Sequence, residues 1–344
     1  MEVRKTFLSL AIPDISDLEK REVMEALDSG WISIGPKVKE FERLFADYHQ
    51  VKHAISFSSC TTALFIAAKV LGIGKGDYVI VPTITWQSTA NIVEQLNATP
   101  LFCDVDKDTL NIKQDDVESY IRQFGNKIKA IIPVHHSGLP VNINWFTEIS
   151  EKHNIPIIYD AAHAVFSSYE NKMIGQFGLM STFSFYATKN LTTGDGGMIT
   201  TNDDELAELC RIWSYHGLPK DSWKRYSAEN ASPHVQSIVP GYKFNLTDMQ
   251  AGLGLAQLKR KDDLLSKRNY LVEVYNELFK DTDWIERPVF KTEKGKWGNH
   301  VYVIKIKDED IDRDKFMQEL RKLNVGTNLH FYPVHKNIYY EEKY

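Results

Sequence analysis

The chain has 344 residues, 43% of them hydrophobic and 25% charged, with a formal net charge of -5. That balance suits a globular protein with a large domain and a smaller one. It excludes a basic nucleic-acid or anionic-membrane surface, and no apolar run reaches the roughly 18 residues of a membrane span.

The N-terminal stretch has a short apolar patch but no small-residue cleavage site, so no signal peptide is expected. Cys60, Cys103 and Cys210 are odd in number and far apart, without metal-ligand or disulfide spacing. They fit a reducing cytoplasm and predict no metal site. "SDLEKREVMEALDSG" has helical apolar spacing and stops at Gly30, and "PKVKEFERLFADYHQ" opens a second amphipathic helix on a proline. Strand-length apolar runs follow: "DYVIVPTIT", "PLFCDVD", "IKAIIPVHH", "IPIIYDAAH" and "STFSFYAT". Helical segments such as "TTALFIAAKVLG", "TANIVEQLN" and "NWFTEISEKHN" lie between most of them. Unbroken apolar strands alternating with helices predict an α/β fold with a mostly parallel sheet covered on both faces. Ligands of such sheets bind beyond the strands' carboxyl ends, which singles out Thr83–Trp86, His135–Gly138, Asp160–His163 and Ser184–Lys189. From Leu246 onward the pattern changes to one or two long helices, a strand in "HVYVIKIKD", a helix in "DRDKFMQELRKLN" and a strand or loop in "VGTNLHFYPVH". The expected division is a large domain over 1–255 and a small α/β domain over 256–344. The terminal "KNIYYEEKY" offers no obvious closing element.

Four features carry chemistry. Lys189 follows an apolar strand, where low dielectric can free its amine for Schiff-base chemistry. Asp160 ends a buried strand, where a carboxylate needs a partner such as a protonated ring nitrogen. His163 lies three residues further on. Ser58, Ser59, Cys60, Thr61 and Thr62 stand at a helix start, a cradle for phosphate, and Ser184 can add a hydroxyl. Trp86 can stack on a flat ring. Each has a plainer reading alone: a surface lysine, a capping aspartate, a packed histidine, an N-cap, a core tryptophan. "TGDGG" (193–197) is a tight turn that allows close backbone approach and matches neither a dinucleotide fingerprint nor a P-loop. Taken together, a lysine, a carboxylate, a phosphate cradle and an aromatic platform match the aldehyde, ring nitrogen and phosphate of pyridoxal 5'-phosphate.

The chain resembles the DegT/DnrJ/StrS family of nucleotide-sugar aminotransferases. The resemblance rests on "SGWISIGPKVKEFE", "AISFSSCTTALFIAAKVLGIGKGDYVIVPTITW", "ATPLFCDVD", "DAAHA", "FSFYATKNLTTGDGGM", "GYKFNLTDMQAGLGLAQLKR" and "HFYPVH", nearly the whole length. It implies an aspartate aminotransferase-type fold (PLP fold type I). Lys189 would carry the cofactor as a Schiff base, Asp160 would pair the pyridine nitrogen, and His163 would sit near the phenolic oxygen. Trp86 would stack on the ring, and Cys60, Thr61 and Ser184 would bind the phosphate. Asn245 would reach the phosphate from the other subunit of a homodimer. Ile32 and Ser33 of the "WISIGP" loop, with His330 and His335, would line the substrate side. Two departures stand out. Leu139 replaces a residue that is usually polar, and the chain ends before the final helix of the relatives.

The implied activity is transamination of a nucleotide-linked keto-deoxyhexose, with L-glutamate as donor and pyridoxamine 5'-phosphate as the intermediate cofactor form. The "FSFYATKNLTTGDGG" form resembles the C-4 branch, which includes ArnB-like and spore-coat polysaccharide enzymes; Thr188 stands where the C-3 branch tends to have glycine. The alternatives are a C-3 aminotransferase, a sugar dehydratase (whose relatives replace the lysine by histidine) and a non-catalytic regulatory relative. The expected location is cytoplasmic, with no nucleic-acid or membrane partner.

Overall fold

In the computed structural model, residues 3–219, 236–289 and 291–344 are described. The N-terminal helices form where their end signals lie. Ser16 opens α1 (Asp17–Asp28) with a capping box closed by Glu19. The chain then turns at Gly30, whose φ of 75° favours glycine. α2 (Pro36–His49) begins on its proline, but Gly35 at the N-cap has no side chain to offer. Buried Asp248 supplies the cap from afar, accepting from the N–H groups of Lys37 (3.1 Å) and Val38 (3.0 Å). A Cβ on Gly35 would lie 2.6 Å from that carboxylate. The Trp31–Pro36 loop is thus held against Asp248, whose N–H also bonds the Ser33 carbonyl (2.5 Å).

Alternation follows as expected: β1 (His53–Phe57), α3 (Cys60–Val70), β2 (Tyr78–Pro82), α4 (Ser88–Gln95), β3 (Thr99–Cys103), α5 (Gln114–Phe124), β4 (Ile128–Ile131), α6 (Ile143–His153) and β5 (Ile158–Asp160). A hairpin of β6 (Ser168–Tyr169) and β7 (Lys172–Met173) precedes β8 (Met180–Ser184), β9 (Gly197–Thr201) and α7 (Asp204–Ser214). β3, β2 and β4 pair in parallel, as do β5 and β8. Parallel bridges Ile131–Ile157 and Val134–Asp160 join the two groups. β9 pairs antiparallel with both β8 and β1. The order is therefore β3-β2-β4-β5-β8-β9-β1, with β9 alone reversed. Helices cover both faces: Ile80 of β2 packs with Phe41, Ile121 and Phe146, while its neighbours Val79 and Val81 pack with Leu64, Ile66 and Ile92. This two-sided burial is why the strands read as unbroken apolar runs. β1 and β9 are absent from those runs, because "HAISF" and "GMITT" are short and interrupted by polar residues.

C-terminally, α8 (Asp248–Lys259) and α9 (Lys261–Leu278) are separate helices that meet at Arg260; the division expected after residue 255 falls inside α8. β10 (Ile285–Glu286) pairs with β12 (Lys305–Ile306), β11 (Gly295–Lys296) joins β6, and α10 (Arg313–Lys322) follows. The strand predicted over "HVYVIKIKD" shrinks to Lys305–Ile306, because the backbone before it turns back to bond the Ser137–Gly138 turn. "VGTNLHFYPVH" is a loop ending in a helical turn at Val334–Lys336. Contrary to expectation, the terminal segment does close on the fold. It forms α11 (Ile338–Lys343), where Tyr340 is buried and its hydroxyl donates to Asn91 Oδ1 (2.7 Å). Among the described residues, no helix is long and apolar enough to cross a membrane.

Candidate active site

The carboxyl ends of β2, β5 and β8 and the start of α3 converge on one site, as the parallel sheet requires. Asp160, the last residue of β5, is buried. Thr89 of α4 donates its hydroxyl to Asp160 Oδ2 (2.8 Å), and the Ala162 N–H donates to Oδ1 (3.1 Å). Thr85 Oγ1 lies 2.8 Å from Thr89 Oγ1, extending the chain of hydroxyls. Burial raises the Asp160 carboxyl above the usual range, against the pull of Thr89, Ala162 and Lys189. An ionised carboxylate offers about four acceptor positions, so further donors have room. Thr89 carries no motif signal of its own; its position facing a strand-end aspartate is visible only in the fold.

Lys189 follows β8 in a turn in which its N–H bonds the Tyr186 carbonyl (2.9 Å). Burial lowers its amine from 10.5 to about 8, with Cys60 and Asp160 close enough to oppose the shift. Burial pushes the Cys60 thiol up, so this cysteine stays a neutral thiol.

At the start of α3 the plainer reading applies to part of the cradle. Ser59 is the N-cap, and it trades hydrogen bonds with Thr62: Thr62 N–H to Ser59 Oγ (3.1 Å), Ser59 N–H to Thr62 Oγ1 (3.2 Å). The N–H groups of Cys60 and Thr61 have no acceptor within the helix, as its first turn dictates, and they make up the positive end of its dipole. Ser184 stands opposite Gly197 in the β8–β9 register. A Cβ on Gly197 would fall 2.4 Å from the Ser59 carbonyl and 2.6 Å from Cys60 N. The "TGDGG" turn therefore brings β9 backbone against the cradle, which only glycine permits. Asp195 contributes its carbonyl, which accepts from Thr193 Oγ1 (2.7 Å) and Gln250 Nε2 (2.9 Å) and ties the turn to α8.

His163 is buried, and among the described residues its Nδ1 has no hydrogen-bond partner. Its ring lies 4.3 Å from that of His300 and 5.2 Å from that of His330, centroid to centroid. The ring nitrogens of these three residues come within 4.8 Å of one another. His163 and His300 lie face over face at 30°, so their in-plane lone pairs run side by side rather than to one point. Burial holds all three rings neutral, with Lys189 reinforcing the effect. His300 and Trp297 escaped the sequence reading, and buried His136 was singled out only as part of the His135–Gly138 strand end, without a role. Only the return of residues 297–300 onto the Ser137–Gly138 turn places His300 and Trp297 here.

The remaining candidates are distributed around this centre. Trp86 is 57% exposed and lies 5.9 Å from the Phe331 ring. His330 joins the histidine group, whereas His335 is exposed and lies beside Phe102 and Asp104. Asn245 donates to the Leu246 carbonyl (2.9 Å), and the preceding Phe244 carbonyl accepts from Ser58 at the edge of the cradle (2.7 Å). Ile32 and Ser33 are exposed on the loop held by Asp248. Leu139 is buried; its carbonyl accepts from Asn111.

The residues brought together fit a flat ring with a basic nitrogen, an ionisable oxygen, an aldehyde and a phosphate. The observation that tests the fit is polar capacity left unused. The Asp160 carboxylate has acceptor positions to spare, His163 Nδ1 is orphaned in a buried place, and the α3 N-terminus has open donors. Lys189 adds an amine poised near neutrality.

Comparison with known proteins agrees with this chemistry. The model of the DegT/DnrJ/EryC1/StrS aminotransferase family matches residues 13–344. The chain is 42% identical over 347 aligned positions to the spore coat polysaccharide biosynthesis protein SpsC of Bacillus subtilis (strain 168), covering 100% of this chain and 88% of that one. The PLP form of Spr1654 of Streptococcus pneumoniae, proposed to be a sugar aminotransferase, superposes with a TM-score of 0.90 at 31% identity. That match covers 98% of this chain and 88% of the other. Helicobacter pylori PseC, an aminotransferase involved in the biosynthesis of pseudoaminic acid, gives 0.89 at 28% identity with the same coverages.

Proposed function

The chain belongs to the DegT/DnrJ/EryC1/StrS aminotransferase family, and on that premise we propose that it is a pyridoxal 5'-phosphate-dependent sugar aminotransferase. It moves the amino group of L-glutamate to the C-4 keto group of a nucleotide-linked 6-deoxyhexose, making an amino sugar for a surface polysaccharide or glycoconjugate. The observation that carries this reading is the placing of the half-buried Lys189, its amine lowered to about 8 by desolvation, beside Asp160 and the open α3 N-terminus. The part played by sugars is supported by SpsC, named for spore coat polysaccharide biosynthesis, and by PseC, named for pseudoaminic acid biosynthesis.

When bound, the cofactor supplies an aldehyde that condenses with amines and a ring that spreads carbanion charge. The chain's own residues do the rest. Lys189 Nζ would anchor the cofactor and, once released, would carry the proton between carbons; an amine lowered to about 8 suits both roles. Asp160, steadied by Thr89, would keep a proton on the ring nitrogen. His163, with its unpartnered Nδ1, would serve the phenolic oxygen. The N–H groups of Cys60 and Thr61 and the Ser184 hydroxyl would hold the phosphate, joined by Asn245 of a second copy in a homodimer. Trp86 would stack on the ring. Ile32, Ser33, His330 and His335 bound the sugar side.

The decisive experiment incubates the protein with cofactor, L-glutamate and a panel of nucleotide-linked 3-keto and 4-keto sugars. Product mass and NMR identify the carbon that gains nitrogen; amination at C-4 is expected. Transfer confined to amino and keto acids would reject the sugar assignment. A second expectation concerns the cradle. Gly197→Ala places a methyl against the Ser59–Cys60 backbone. It should weaken capture of pyridoxal 5'-phosphate about tenfold or more, a loss of roughly 1.4 kcal/mol or above, while capture of phosphate-free pyridoxal changes little. Titration of the apoprotein by absorbance measures both.

A further inference from the structure

The segment from Trp297 to His300 crosses from the C-terminal region onto the turn at Ser137 and Gly138, and it is firmly seated. The Trp297 indole N–H donates to the Ser137 carbonyl (2.6 Å), the Gly298 N–H to the Gly138 carbonyl (3.2 Å) and the His300 N–H to the Ser137 carbonyl (3.3 Å). Arg268 clamps the other side, donating to the carbonyls of Asn299 (3.3 Å) and His300 (2.9 Å). The fit leaves no spare room: a Cβ on Gly138 would lie 2.6 Å from the His163 carbonyl, and one on Gly298 would lie 2.6 Å from Ser167 Oγ.

The segment delivers one side chain to the residue next to Lys189. Asn190 is buried, and its Nδ2 donates to the Gly298 carbonyl (2.6 Å). That bond fixes the amide's orientation and turns Oδ1, an acceptor only, towards His300 Nδ1 at 2.8 Å. His300 must therefore carry its proton on Nδ1 and leave Nε2 unprotonated. Two donors, one on each side, thus set Asn190: its own amide on Gly298 and the His300 imidazole on its oxygen.

We propose that His300 is a positioning residue for Lys189: its Nδ1–H holds Asn190, and Asn190 fixes the backbone from which the lysine projects. This assigns the C-terminal region a part in setting the direction of the amine, separate from any contact with substrate. The importance of Lys189 rests on the proposed function; the hydrogen-bonded support does not.

The test separates the hydrogen bond from the ring's bulk. His300→Gln keeps a side-chain N–H donor for Asn190 and loses the ring. His300→Phe keeps a ring and loses the donor. The probe is acetaldehyde, trapped on the apoprotein by cyanoborohydride and located at Lys189 by peptide mass spectrometry across pH. Wild type should label with a midpoint near 8. The positioning role predicts that His300→Phe alters the rate of labelling at Lys189 by about tenfold, the value of one lost buried hydrogen bond, and that His300→Gln stays within about threefold of wild type. Asn190→Ala should reproduce the phenylalanine variant, and it decides the matter if His300→Phe fails to fold by circular dichroism. The opposite pattern, with phenylalanine like wild type and glutamine impaired, would make His300 a packing residue and overturn the proposal. So would unchanged labelling in Asn190→Ala. Normal labelling behaviour with no amino transfer by wild type would instead count against the proposed function and leave the support intact.

Discussion

Lys189→Ala lowers turnover by about a thousandfold or more, the combined worth of a lost nucleophile and a lost proton carrier. It also removes the visible absorbance that marks a covalently held cofactor. Both follow from one atom: Nζ is the amine that the site desolvates. Pyridoxal 5'-phosphate should still bind through the cradle in the variant, noncovalently, so a dialysis-sensitive complex is the expected companion result. A variant with near-normal turnover would sink the assignment.

The same amine sets a pH dependence with a definite sign. Burial lowers Lys189 from 10.5 to about 8. Below that value the amine is protonated and cannot attack an aldehyde, so cofactor capture by the apoprotein should rise through pH 8 and then level off rather than climb towards 10.5. The folded state binds this proton less tightly than the unfolded chain does. Stability attributable to Lys189 therefore increases as pH rises from about 8 to 10.5, and below 8 the folded apoprotein carries the cost of a partly desolvated ammonium. Lys189→Met, which keeps the volume without the charge, should melt above wild-type apoprotein at pH 7, and the gap should close towards pH 10.5. Thermal melts at the two pH values measure it.

Why these residues could be found from sequence, and others not, has a physical basis. Asp160, Ser184 and Lys189 lie within or just beyond strands buried on both faces, so the apolar runs that reveal the strands also mark their ends. The helix start at Cys60 announces itself by hydroxyls and a following apolar stretch. Thr89 and His300 are different. Thr89 lies on the first turn of α4 and matters only because the fold brings its hydroxyl to the Asp160 carboxylate at the end of β5; nothing local distinguishes it from any helical threonine. His300 sits in a run that reads as a strand, and its actual conformation is dictated by hydrogen bonds to a turn over a hundred residues earlier. β1 and β9 were hidden for a related reason: β1 gains its pairing from β9, over a hundred residues away, and β9 lies between β8 and β1, so neither depends on a strong period of its own. Long-range pairing overrides local pattern at the places where the fold brings the site together.

Asp160→Asn should lower turnover about a hundredfold to a thousandfold while leaving covalent capture of the cofactor by Lys189 intact. As a carboxylate, Asp160 is acceptor-only, so Thr89 must give it a proton, and Thr85 must in turn donate to Thr89. The chain of hydroxyls thus points towards the aspartate and stabilises its charge, against a burial that raises the carboxyl. In the proposed function a protonated ring nitrogen would be the partner that resolves this tension. An asparagine oxygen can still accept from Thr89 but carries no charge to keep a proton on that nitrogen, so the ring loses its capacity to draw electrons. Thr89→Val alone should cost about tenfold, the scale of one hydrogen bond to a charged group. Combined with Asp160→Asn it should cost little more than Asp160→Asn by itself, because the bond it removes exists to hold a charge already gone. The half-reaction with L-glutamate, followed by rapid-scanning absorbance, resolves capture from proton transfer in all three variants. Full additivity of the two substitutions would show that Thr89 acts independently of Asp160, and undiminished proton transfer in Asp160→Asn would remove the aspartate from the mechanism.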